Sequence, residues 1–291
     1  MAELKTGRGA IDLPTEVSSE IIQKTQESSS VMQLSRSITL PGRGITIPVI
    51  AGDPEPAWVN ETEKKKVADP QLSTKKMTAY KMAVIVPFSM EFRRDNSALY
   101  NALVNRLPLK LAELFDATVF GKVEKPGENF DQLTSAAAYD ISKNTYDGLV
   151  AADTAIAVAG YASNGYVISP QGKGILLGAK DTTGRPLFIN SVAEGAVPMI
   201  LGTTTMQTKG AYVAKGASTP EIVGAVGDWT QAVVGNVSGI QVSVSDQATL
   251  DTSAGTINLW QQNMFAVRAE IELGFRCNTE AFARLANGTA A

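Results

Sequence analysis

The chain has 291 residues, 44% of them apolar and 19% charged, with a formal net charge of −3. That composition belongs to a folded globular protein, and the length suits two domains or one large elaborated one. With no histidine and a single cysteine, Cys277, the chain has no internal disulfide, no imidazole or multi-thiolate zinc site and no Ser-His or Cys-His nucleophile pair. Near-balanced charge also argues against a basic nucleic-acid-binding surface covering the whole molecule.

The N-terminus from Met1 to Pro14 is polar and broken by Gly7 and Gly9, unlike the apolar core of a secretory signal. No window offers the ~18 uninterrupted apolar residues of a membrane span. A soluble, cytosolic chain without a membrane partner is expected.

In chain order, residues 1–44 read as an arm with one short amphipathic helix, Glu16–Gln26, capped by Thr15 after Pro14 and carrying Val17, Ile21 and Ile22. Residues 45–90 read as two strands. Ile45, Ile47 and Val49 alternate in the first, and Tyr80, Met82, Val84, Val86, Phe88 and Met90 alternate in the second. Between them Ala51–Thr78 form a polar excursion with Pro54, Pro56 and Pro70, and a connection that long without periodicity is uncommon unless it is functional or disordered. It holds Trp58 and Val59, then Glu61 and Glu63, then Lys64, Lys65 and Lys66. An apolar anchor ringed by charges of both signs is how protein interfaces are built, so these residues are assigned to a contact with another surface.

Asn96–Gly121 reads as a long helix with the stripe Leu99, Leu103, Leu107, Leu111, Leu114 and Thr118; Pro108 bends it and Gly121 ends it. Residues 145–225 alternate short apolar runs with turns and read as a mixed α/β insertion. Ile240, Val242 and Val244 form an alternating strand. From Phe265 to Cys277 the odd positions are apolar, while Arg268, Glu270, Glu272 and Arg276 share the opposite face. Thirteen residues at ~3.3 Å each make a strand about twice the usual length. Long elements of this kind imply a subunit whose exposed surface is covered by neighbours.

Three motifs invite chemistry. Gly172, Gly174 and Gly178 after Tyr166–Ile168 are spaced like part of a dinucleotide fingerprint, but Gly184, Pro186, Gly195 and Pro198 interrupt the strand that should follow, so a glycine-rich strand-to-helix turn is the better account. Ser73 and Lys76 match a Ser-x-x-Lys spelling and Lys5-Thr6-Gly7 a second element of that set, but their order is reversed, the middle Ser-Asp-Asn is missing and Ser73 reads as part of a polar loop, so the match is coincidence. Glu270 and Glu272 could form an acid/base pair, but Arg268 and Arg276 on the same face favour a charge ladder. Cys277 closes the apolar side of its strand as a buried thiol.

Several segments, taken together, resemble a known family. They are Ala57–Glu61; Tyr80–Glu91 leading through Asp95 into the long helix; Asp116–Gly121; Asp228-Trp229 to Asp246; and Trp260-Gln261-Gln262-Asn263 followed by the long strand and Ala281–Arg284. In order and spacing the chain resembles the major capsid proteins of tailed bacteriophages, which share the Hong Kong-type phage capsid fold. The resemblance implies an α+β fold with an N-terminal arm (1–43), an extended two-stranded E-loop (44–90), a peripheral domain with a spine helix (91–145) and return strands (226–277), a mixed α/β axial domain (146–225) and a C-terminal segment (278–291).

It also implies a structural protein with no catalytic site and no cofactor or metal. Such proteins assemble as pentamers and hexamers into an icosahedral shell around double-stranded DNA that is not read by sequence. The virion capsid, built in the host cytoplasm, would be its location. The short arm implies a separate scaffolding protein, alongside a portal and an optional decoration protein. The loop contacts Trp58, Val59, Glu61, Glu63 and Lys64–Lys66 would lie across a neighbour. Some relatives join subunits covalently through a lysine, an asparagine and a catalytic glutamate; no specific Asn and Glu match here, so no cross-link is expected. The alternatives are an encapsulin-like nanocompartment subunit and, more remotely, an α/β nucleotide-binding enzyme using Gly172–Gly178.

Overall fold

The computed structural model describes residues 29–42, 44–50, 58, 72–91, 106–181, 183–188, 199–216, 219–252 and 255–288. The expected helix at Glu16–Gln26 lies outside them. Helices are α1 (Ser30–Leu34), α2 (Leu107–Val119), α3 (Thr145–Val158) and α4 (Pro170–Gly178). Strands up to the second sheet's edge are β1 (Arg36–Thr39), β2 (Ile45–Ile50), β3 (Leu72–Met77), β4 (Tyr80–Ser89), β5 (Ala137–Asp140), β6 (Gly165–Ile168), β7 (Met199–Ile200) and β8 (Thr203–Gln207). The remainder are β9 (Glu221–Gly227), β10 (Ala232–Asn236), β11 (Gln241–Ser245), β12 (Thr249–Thr252), β13 (Gly255–Asn258), β14 (Met264–Cys277) and β15 (Phe282–Asn287). No helix among the described residues is long and apolar enough to cross a membrane.

Two sheets carry the structure. In the five-stranded one, β14 is central: β4 runs along one edge from Met264↔Ser89 to Leu273↔Tyr80, while β11 and β10 share the other and β1 adds outside β10. The alternation expected of β14 is present: Phe265, Val267, Ala269, Ile271, Leu273, Phe275 and Cys277 are buried, because period-two side chains all reach one face. The six-stranded sheet runs β5-β15-β9-β6-β8-β7, with α3 and α4 supplying apolar cover through Leu149, Ala152, Ile156 and Leu176. Its β15 shows that the last segment of the chain is not peripheral but sits between β5 and β9.

The sheets are joined by two crossovers that run side by side. Residues Trp229–Gln231 carry β9 into β10, and Thr279–Ala281 carry β14 into β15. Each is a single 3₁₀ turn capped by the side chain of Asp228 or Asn278. Their backbones bond to each other, Asp228 N–H to Ala281 O at 3.0 Å and Asn278 N–H to Gln231 O at 3.2 Å. Trp229 fills the joint: it is fully buried, stacks edge-on to Phe282 at 5.1 Å, and donates Nε1–H to the Gly165 carbonyl at 3.0 Å. Gly165 is required there, since a Cβ would fall 2.8 Å from Trp229 Cδ1.

The described helix α2 starts at Leu107, so Pro108 lies in its first turn, where its missing N–H has no intrahelical partner to lose. The expected bend inside a longer helix is thereby corrected for the described residues; 92–105 fall outside them. Gly121 ends the helix at φ +83°, with Lys122 N–H returning to Ala117 O at 2.9 Å. The buried face is Leu107, Leu111, Phe115 and Val119 rather than the expected line through Leu114, which stays exposed. Phe115 meets Phe130 and Phe275 at 6.2 Å each, an aromatic cluster between helix and sheet.

Candidate assembly surfaces

The two-stranded projection is built differently from the expectation. The partner of β2 is β3, in register from Ile45↔Met77 to Ile50↔Leu72, whereas the alternating run Tyr80–Ser89 belongs to the sheet of β14. Ser73 therefore lies in a strand, not a loop. The hairpin contacts the body at its root: Met77 is fully buried and Leu40 nearly so. Trp58, which lies between β2 and β3 in sequence, is completely exposed at 105%. Val59, Glu61, Glu63, Lys64, Lys65 and Lys66 lie outside the described residues. A second tryptophan, Trp260, is 74% exposed in the turn before β14.

Polar groups on the long strand are paired. Lys81 on β4 stands 3.6 Å from Glu270 and 3.4 Å from Glu272, and Arg268 3.2 Å from Glu270. This is the expected ladder, with Lys81 as the cation supplied across the strands. Arg276 leaves it and pairs with Asp131 at 2.6 Å. The glycines that resembled a nucleotide loop are inside α4, correcting the turn assignment. Ser169 Oγ already accepts the Gly172 N–H at 3.1 Å, and a Cβ on Gly172 would meet the Val223 carbonyl at 2.7 Å, so that glycine serves helix-to-sheet packing. Burial pushes the Cys277 thiol up to about 12, so the nucleophilic thiolate is scarce at neutral pH.

Asp116 gave no signal in the helical stripe, yet it is fully buried. Its carboxylate accepts from Ser29 Oγ at 2.6 Å and Ser30 N–H at 3.2 Å, tying the first described residues of the arm to α2. Burial raises its pKa to about 6, against the lowering effect of the hydrogen bonds from Ser29, Thr208, Ser30 and Val31. A run as apolar as Leu114-Phe115-Asp116-Ala117 was the available clue that this carboxylate faces inward.

Among the described residues, no three carboxylate or cysteine groups gather as a metal site. A cleft of 180 Å³ between β4 and α2 is lined almost wholly by apolar groups, including Met82, Leu114, Phe115 and Leu273.

Comparison with known proteins agrees with this architecture. A family model described as the phage capsid family matches residues 9–286. The chain is 29% identical to the probable major capsid protein gp17 of Mycobacterium phage D29, over 94% of this chain and 90% of that protein. A solved structure from Mycobacterium phage Ogopogo superposes with a TM-score of 0.76 at 16% identity, covering 90% of this chain and 92% of that one. A chain from the capsid of an empty GTA particle computed with C5 symmetry superposes with a TM-score of 0.65 at 16% identity, covering 91% and 90%. With the match spanning nearly every residue of both sheets and their crossovers, the chain belongs to the phage capsid family.

Proposed function

We infer that the chain is the structural subunit of an icosahedral phage shell, assembling with copies of itself as pentamers and hexamers around double-stranded DNA, with no catalytic role. The observation that carries this reading is a fully exposed Trp58 in the segment between β2 and β3, two strands that pair with each other and with neither main sheet. An indole in water is unfavourable by roughly 2–3 kcal/mol relative to burial, and a neighbouring copy removes that cost. In the same reading the arm is 1–43, the extended loop runs within 44–90 with its paired legs at 45–50 and 72–77, the peripheral body centres on β14 and α2, and the axial part centres on the six-stranded sheet. Val59, Glu61, Glu63 and Lys64–Lys66 join Trp58 on the neighbour. A separate scaffolding protein, a portal and a decoration protein are the proposed further partners, with assembly in the host cytoplasm.

Electron microscopy of particles purified from infected or producing cells tests the reading. DNA-filled heads with one distinct portal vertex support it; cages loaded with enzyme cargo and free of DNA would replace it with a nanocompartment.

A further inference from the structure

We propose that Arg276, held by Asp131, is a positioning clamp that fixes the angle at which the β2–β3 hairpin leaves the body of the subunit. The root of that hairpin touches the body in two ways. On one side, Leu40 and Met77 lie over Gly235 and Gly274, which face each other in register across β10 and β14. A Cβ on Gly235 would fall 2.7 Å from Met77 Sδ, and one on Gly274 would fall 2.7 Å from the Thr78 carbonyl oxygen. This saddle is mainly apolar contact, which is non-directional, so it holds the root down without fixing its tilt.

The other contacts are directional. Arg276 donates from Nε and Nη2 to the Lys76 carbonyl at 2.9 and 2.5 Å, from Nη1 to Asp131 Oδ1 at 2.6 Å, and from Nη2 to Asn129 Oδ1 at 3.0 Å. A longer contact runs from Nη1 to the Glu128 carbonyl at 3.5 Å. Asp131 Oδ2 accepts the Cys277 N–H at 3.2 Å and stands 3.8 Å from Lys75 Nζ, which donates to the Cys277 carbonyl at 3.1 Å.

These bonds fall where the sheet cannot do the work. The ladder between β14 and β4 stops at Leu273↔Tyr80. Beyond it, side chains from β3, β14 and the 128–131 segment join hairpin to body in place of backbone pairing. A guanidinium fork is planar and fixes orientation as well as distance, and its side chain here is only 12% exposed.

The leverage is large. Six residues of β2 reach about 20 Å at ~3.3 Å each, so a tilt of about 10° at the root moves the far end of the strand by about 3.5 Å. That displacement is comparable with the whole reach of a side-chain contact. Any consequence for shell geometry rests on the loop lying across a neighbour as proposed above; the clamp itself does not.

The test uses unassembled full-length chain with nitroxide labels at Thr74→Cys on the hairpin and Gln241→Cys on β11, both exposed positions. Buried Cys277 is expected to stay unlabelled. Pulsed dipolar distances are recorded with Arg276, R276A, R276K and D131N, alongside the melting temperature of each. R276A is expected to shift and broaden the distance distribution. R276K is expected to recover part of the width at a melting temperature close to the parent's, since an ammonium donates to the Lys76 carbonyl without the fork. A distribution as narrow as the parent's in R276A overturns the clamp, as does broadening that merely tracks the melting temperature across the variants. Shell diameters of the same proteins separate the two ideas: broadened distances with shells of parental diameter support the clamp and overturn the loop's part in shell geometry.

Discussion

Asp116→Asn offers the most quantitative check on how the arm is held. The carboxylate is fully buried, and its pKa stands at about 6 against an ordinary 3.8 because burial outweighs the hydrogen bonds it accepts. A raised acid binds its proton more tightly in the folded chain than in the unfolded one. Its contribution to stability is therefore complete below the unfolded value and is lost as pH rises through the folded one. A displacement of about two units corresponds to about 3 kcal/mol in all, of which about 2 kcal/mol falls between pH 4 and pH 7. Asparagine keeps one acceptor oxygen, enough for Ser29 or Ser30 but not for both, and does not titrate. The difference in unfolding free energy between D116N and the parent should therefore move by about 2 kcal/mol in the parent's favour from pH 7.5 to pH 4. Urea denaturation of unassembled chain at several pH values, with the variant subtracted at each, isolates this group from every other carboxylate. A difference that stays constant across that range would refute the assignment of a buried, titrating carboxylate at this position.

Other outcomes follow from the same contacts. Trp229→Ala should cost about 3–5 kcal/mol because the indole fills the joint between the sheets, while Trp229→Phe, losing the bond to Gly165, should cost less; chemical denaturation measures both. Gly274→Ala should destabilise by about 1–3 kcal/mol, since its Cβ would press on backbone at Thr78, and limited proteolysis should cut nearer the hairpin root. Lys81→Ala should change stability by no more than about 1 kcal/mol, an effect that fades in high salt because the lysine is half exposed. Cys277 should resist thiol reagents in the native chain and react on unfolding, which mass spectrometry of the alkylated protein reads directly.

What the sequence made legible was periodicity. Alternation from Phe265 to Cys277 located β14 almost to the residue, and Gly121 marked the end of α2. Alternation also marks β4, but it carries no information on which strand is bonded, and it points to Tyr80–Ser89 where the return leg of the hairpin is β3. Its true return, Leu72–Met77, contains Ser, Thr and two lysines and looks like a loop until it is paired with β2. Pro108 inside a helical pattern points to a kink, yet proline is equally favoured in a first helical turn, where it lies in α2. The root clamp had no local signature: Arg276 and Asp131 are 145 residues apart, and only the tertiary fold brings them together. Of the proposed contact residues, Trp58 alone is among the described ones, and it is fully exposed.

The central claim is that this chain completes itself only among its own copies. Cryo-electron microscopy of particles formed by the purified chain tests it most directly. The account predicts closed icosahedral shells in which density for Trp58 is packed against an adjacent subunit and the β2–β3 hairpin keeps its angle to β14. A protein that stays monomeric at high concentration, or shells in which Trp58 meets only solvent, would contradict it.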